Sequence, residues 1–209
     1  MNREDALALL KKYASADASW YAHSLQVSAV ARRLAALISQ RGHAVDVELA
    51  TVLGVLHDLG RSRGHGLRHG IEGYLLVRGE GHEAEGRICL IHILKGHTLE
   101  QGVELGMLTE QERQELQSSA QEYRHLSLEE KIVCVADAVM SDPGLVSIEE
   151  KYANVRRRYG ALPHHEENEA WAKERAAELA ELLGETPYEA LKRHSNDLLS
   201  ELSNVSRRC

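Results

Sequence analysis

Apolar residues recur at three- and four-residue intervals along most of the chain, and no stretch sustains the alternation of a half-buried strand. The spacing predicts a short amphipathic helix over about residues 3–13, with Ala6, Leu9 and Leu10 inward. A longer helix follows over about 19–41, where Leu25, Val27, Val30, Leu34, Leu37 and Ile38 form the apolar stripe and Gly42 the stop. Asp46 is a good cap for a third helix. Its inner part, Ala50-Thr51-Val52-Leu53-Gly54-Val55-Leu56, is apolar throughout and leads into His57-Asp58, with Gly60 as the expected stop. Helices are expected over about 68–76 and 82–95, and a short one behind the capping box Thr109…Glu112 in an otherwise polar stretch. Ser127…Glu130 is a cleaner capping box before a helix that Asp142-Pro143-Gly144 closes. Ser147…Glu150 opens another to about Arg158, a Glu/Ala/Leu helix covers about 166–183, and Thr186-Pro187 starts the last. Helical signals thus run from end to end, with no internal repeat and no convincing second domain, and about 204–209 reads as a frayed end.

Composition narrows the class. At 209 residues, 43% hydrophobic and 27% charged, the chain can bury a real core and reads as a soluble globular protein. A net charge of -7 argues against nonspecific nucleic-acid binding. No window approaches the ~18 uninterrupted apolar residues of a membrane span, and the N-terminal residues carry no signal pattern, so a cytoplasmic protein with no membrane partner is expected. Cys89 and Cys134 sit in apolar runs and Cys209 is the last residue, without CxxC spacing, which suggests reduced structural thiols. The twelve histidines are less evenly spread: His57, His65, His69, His82, His92 and His97 crowd one segment.

The chemistry begins at His57-Asp58. A neutral nitrogen ligand and an anionic oxygen ligand stand side by side at the C-terminal end of a buried helix, where the dipole favours a cation and an unpaired charge would be costly. Asp137 shares a helix face with Val133 and Met140, and His23 shares one with Val27 and Val30. Singly, each is as well explained by a buried ion pair or a core hydrogen bond. Together, on three predicted helices, they supply two imidazoles and two carboxylates, a set that suits Mn, Fe, Ni, Co or Zn and less ideally Mg. Such a set leaves positions for water and a substrate oxygen.

These residues resemble the HD-domain metal-dependent phosphohydrolases of the HDIG-like branch. Their H…HD…D pattern is met by His23, His57, Asp58 and Asp137, and His57-Asp58-Leu59-Gly60 differs from HDIG by one conservative exchange. The resemblance runs through Arg61-Ser62-Arg63-Gly64-His65-Gly66, His69-Gly70 and Glu130-Lys131-Ile132-Val133-Cys134-Val135-Ala136-Asp137, covering about residues 19–142. It implies an all-α helical bundle, with a core over 1–145 and C-terminal helices over 146–209 packing on or extending it, that hydrolyses a phosphoester or phosphoanhydride of a nucleotide or related small phosphate compound, a dinucleoside polyphosphate among them. The four motif residues carry over as ligands of one divalent ion. His69 and His92 are the candidates for a second, with Asp58 as bridge and water-orienting group. Arg61, Arg63 and Lys95 are the candidate phosphate contacts, and Glu72 the candidate general base. Homo-oligomerisation stays open. Two other readings compete: a di-iron oxygenase on the same scaffold, and a non-catalytic nucleotide-binding regulator.

Overall fold

In a computed structural model the described residues, 1–15, 18–118, 123–141, 144–160 and 164–194, form eleven α-helices and one two-residue antiparallel ladder. The helices are α1 (Arg3–Tyr13), α2 (Ser19–Gln40), α3 (Val47–Leu56), α4 (His69–Gly79), α5 (Glu83–Leu94), α6 (Leu99–Glu104), α7 (Glu110–Ser118), α8 (Leu128–Ala138), α9 (Ile148–Tyr159), α10 (His165–Leu183) and α11 (Pro187–Arg193). A 3-10 turn over Leu59–Ser62 joins α3 towards α4, and the ladder pairs β1 (Met140–Ser141) with β2 (Gly144–Leu145). The expected all-α bundle is what forms. Among the described residues no helix is long and apolar enough to cross a membrane.

The hydrophobic pattern explains the arrangement. Every residue of α3 from Ala50 to Leu56 is buried, so this helix needs neighbours all round and sits centrally against α1, α2, α5 and α8. Its approach to α2 is close: a Cβ on Gly54 would lie 2.6 Å from the Ser28 Cα, and the Ser28 hydroxyl donates to the Thr51 carbonyl at 2.8 Å. Asp46 caps α3 through the Leu49 amide, and the Ser127–Glu130 and Ser147–Glu150 capping boxes both form. Buried Glu130 also accepts from Arg87 Nε at 2.7 Å, tying α8 to α5. The C-terminal helices pack on this core: α10 lies on α8 and α9, and α11 against α2 and α10.

Three expectations change. Gly60 is not the stop of α3, which ends at Leu56 with His57 as its cap. Gly60 instead lets two backbones touch, since a Cβ there would meet the His69 carbonyl oxygen at 1.9 Å and the Gly73 nitrogen at 2.4 Å. The stretch after His97 holds two helices rather than one, because Thr98 and Gln101 form a capping box that opens α6. The chain after α8 makes a short ladder where only a helix stop was expected. Asp142 and Pro143, the frayed end and Cys209 lie outside the described residues. Cys89 and Cys134 are both buried and free.

Candidate metal centre

Six side chains from five helices and the turn meet at one place. His23 lies in the second turn of α2, His57 caps α3, Asp58 precedes the 3-10 turn, His69 begins α4, and His92 and Asp137 stand in the last turns of α5 and α8. Their ligating atoms form two trios, His23–His57–Asp137 and Asp58–His69–His92, each drawn within 4.8 Å. The trios abut. The His57 ring centroid is 5.5 Å from that of His23 and 5.1 Å from that of His92. Asp58 Oδ2 lies 3.7 Å from His57 Nε2, while its Oδ1 lies 3.0 Å from His69 Nε2 and 3.3 Å from His92 Nε2. Because His57 and Asp58 are consecutive, a single turn of backbone delivers one donor to each trio. In the first trio His23 Nε2 is 3.0 Å from Asp137 Oδ1.

The protonation of the rings is dictated from behind. His57 Nδ1 donates to the Gly54 carbonyl at 2.8 Å, His69 Nδ1 to the Gly66 carbonyl at 2.5 Å and His92 Nδ1 to the Ile88 carbonyl at 3.2 Å. A carbonyl only accepts, so each Nδ1 carries a proton, the tautomer that leaves Nε2 as the inward-facing ligand atom. Support of this kind is what fixes imidazoles that ligate metals. Burial drives His57 down to about 4, against the pull of Asp58, and lowers His92 as well, so both rings are neutral near pH 7. His69 Nε2 and His92 Nε2 then face one another at 3.2 Å beside a carboxylate oxygen. His57 Nε2 and Asp58 Oδ1 are buried without a hydrogen-bond partner. Bare buried atoms of this kind are costly, and a divalent cation relieves them all at once. The donors present therefore fit a metal, and their nitrogen and oxygen chemistry fits Mn, Fe, Co, Ni or Zn.

Charge around the trios is ordered too. Burial works against ionisation of Asp58, yet its charge and hydrogen-bond partners, with Arg61 Nε donating to its Oδ2 at 2.6 Å, hold it well below the usual carboxylate range. Asp137 behaves likewise: burial opposes its charge, and Lys151 at 3.6 Å with the hydrogen bond to His23 outweighs burial.

The trios open into a cavity of about 470 Å³, lined by His23, Asp58, His92 and Asp137 beside Arg61, Lys95 and Lys151. Ile93, Leu105, Met107 and Val155 are among its apolar wall, with Glu104, Tyr152, His165 and Asn168 among its polar lining. Lys95 reaches the cavity because α5 ends in two successive left-handed residues, Lys95 (φ 47°) and Gly96 (φ 83°), with Trp171 packed against the glycine. Burial works against the Lys95 ammonium, but Tyr152 and Asp137 raise its pKa above the ordinary lysine value. Its Nζ donates to the Tyr152 hydroxyl at 3.3 Å, which donates in turn to the Asn168 carbonyl at 2.9 Å.

The structure thus brings together His23, His57, Asp58, His69, His92 and Asp137, and places Arg61 and Lys95 beside them. It does not bring Arg63, which is exposed on its loop, or Glu72, which faces Arg68 at 3.5 Å; neither lines the cavity. His165, for which the sequence offered no site pattern, does line it, as do Lys151, Tyr152 and Asn168. Their only advance signal was a histidine pair, His164-His165, at the start of a predicted helix.

Comparison with known proteins agrees. The chain is 36% identical over 163 residues to an uncharacterized protein of Methanocaldococcus jannaschii, covering 77% of this chain and 88% of that one. No solved structure matches significantly. The family profile described as HD domain matches residues 20–142, the span that contains both trios. The chain belongs to the HD domain family, as a helical bundle of the metal-dependent phosphohydrolase type.

Proposed function

We propose that this protein hydrolyses a phosphoester or phosphoanhydride of a nucleotide or related small phosphate compound, using one or two divalent ions held by His23, His57, Asp58 and Asp137 with His69 and His92. The observation that carries the reading is the convergence of ring lone pairs and carboxylate oxygens on two adjacent points, with His57 Nε2 and Asp58 Oδ1 buried and unpaired. A divalent ion held there would supply acidification of a water and withdrawal of charge from a phosphoryl oxygen.

The chain's own groups do the rest. Asp58 offers an oxygen to each trio, and Arg61 fixes its orientation through the 2.6 Å contact. Lys95 and Lys151, both lining the cavity, meet the charge of the transferring phosphoryl group and its retained oxygens. Lys151 also keeps Asp137 ionised. Apolar wall around these charges limits water, which strengthens each of them.

The test is phosphate release from a panel of nucleotides, dinucleotides and simple phosphoesters, with EDTA-stripped protein refilled by single metals. Release is expected with at least one transition metal, and Asp58→Ala and Asp137→Ala should each lose it by at least about a hundredfold, the scale of removing one electrostatic stabiliser. No release with any metal, in protein that retains metal by elemental analysis, would sink the proposal and direct attention to oxygen consumption.

A further inference from the structure

We infer that His165 reads the organic part of the substrate, and that the wall supplied by α9 and α10 is a nucleoside subsite. The inference rests on the phosphohydrolase reading and adds its recognition element, from helices that lie beyond the HD match at residues 20–142.

A phosphoryl group occupies only a small part of a cavity of about 470 Å³. Much of the remaining lining is apolar, from Ile93, Leu105, Met107 and Val155. Sugar hydroxyls pressed on such a wall would lose hydrogen bonds to water without replacement, whereas the faces of a heterocycle bury there favourably. Polar groups of Glu104, Tyr152, His165 and Asn168 interrupt the wall, and one of them has no partner among the described residues. His165 is only 8% exposed, and its Nε2 is buried with no hydrogen-bonding group of the described chain to meet it.

The ring is held in place. It packs edge-to-face on Tyr152 with centroids 5.3 Å apart, and the Tyr152 hydroxyl is itself engaged by Lys95 and the Asn168 carbonyl. His165 belongs to neither trio, so a metal does not account for its orphaned nitrogen. Buried polar atoms are paired in nearly all folded proteins. A ligand that places an N–H or a ring nitrogen against Nε2 supplies the missing pair, and a nucleobase edge carries both kinds of group. Lys95, joined to Tyr152, puts a phosphate contact next to this base contact, the order a nucleoside phosphate requires.

The test measures binding to metal-loaded protein by calorimetry, using the four common nucleoside 5′-monophosphates and inorganic phosphate as probes. Wild-type protein should bind at least one nucleotide roughly tenfold or more tighter than phosphate. In His165→Leu that preference should fall by roughly tenfold, as expected for one hydrogen bond to a buried group, and His165→Gln should recover part of it. Val155→Trp, which fills the apolar wall and leaves the histidine in place, should lower it as well. Because the quantity is a ratio, a variant that merely loses folded protein does not move it. A wild-type protein with no preference for any nucleotide, or a preference unchanged in both His165→Leu and Val155→Trp, overturns the inference. A preference that behaves as expected in a protein that releases no phosphate upholds the subsite and removes the hydrolase reading alone.

Discussion

Replacing Gly60 by alanine should damage the fold and the second trio together. The added Cβ would stand 1.9 Å from the His69 carbonyl oxygen and 2.4 Å from the Gly73 nitrogen, distances that real Cβ atoms do not show. Reaching even 3.0 Å requires the 3-10 turn and the start of α4 to part by about 1.1 Å, and both clashing atoms are backbone in a close-packed interior. Overpacking by a methyl group costs about 1–3 kcal/mol, and a clash between two backbones belongs near the upper end. At about 3 kcal/mol, a chain of this size loses roughly 6–12 °C in Tm. The His69 carbonyl belongs to the residue whose ring lies 3.0 Å from Asp58, so the movement also spoils the Asp58–His69–His92 trio. Metal affinity there should drop by about 10–100-fold, the range for disturbed ligand support. Thermal denaturation of metal-free protein and calorimetric metal titration read the two effects separately. Gly79→Ala, at the end of the same helix with open space around its Cβ, is the control and should change stability by less than about 0.5 kcal/mol. A Gly60→Ala protein as stable as that control, with unaltered metal affinity, would refute the reasoning.

Two further outcomes follow from the charges. His57 is held at about 4 in the folded protein against an ordinary 6.5, so the unfolded chain takes up the proton first. Its contribution to the stability of metal-free protein is full above pH 6.5 and is lost as pH falls to about 4, amounting to about 3 kcal/mol. Urea denaturation across that window should show this slope in wild type and a smaller one in His57→Gln; equal slopes would contradict it. Lys95→Met keeps the length of the side chain and removes its charge, so kcat/KM for a phosphate substrate should fall by about 10–100-fold, the worth of a charged hydrogen bond. An unchanged kcat/KM would remove Lys95 from the phosphate contacts.

The bundle was legible because its helices carry local signals. Asp46, Ser127 and Ser147 announce helix starts, and the unbroken apolar run before His57 announces a central helix. Thr98…Gln101 is the same kind of signal in a less conspicuous polar stretch, and α6 follows from it. The trios were legible as well, because each of their residues stands at the end or on the inner face of a predicted helix. Gly60 misled because a glycine after a helix usually serves as its cap, whereas here its missing side chain admits α4, a packing fact with no local signature. Arg63 and Glu72 lie off the cavity lining for a similar reason: proximity in sequence to His57-Asp58 says little about direction, and Arg68 is the partner Glu72 meets. The cavity wall from Lys151, Tyr152, His165 and Asn168 depends on α9 and α10 folding back over α8, a long-range arrangement that helical periodicity does not encode.

The most direct measurement of the central claim is an anomalous difference map from crystals of the protein loaded with manganese. The account predicts density among His23, His57 and Asp137, among Asp58, His69 and His92, or at both, with Asp58 next to each. A map without density at either trio, from crystals that contain the metal, would contradict it.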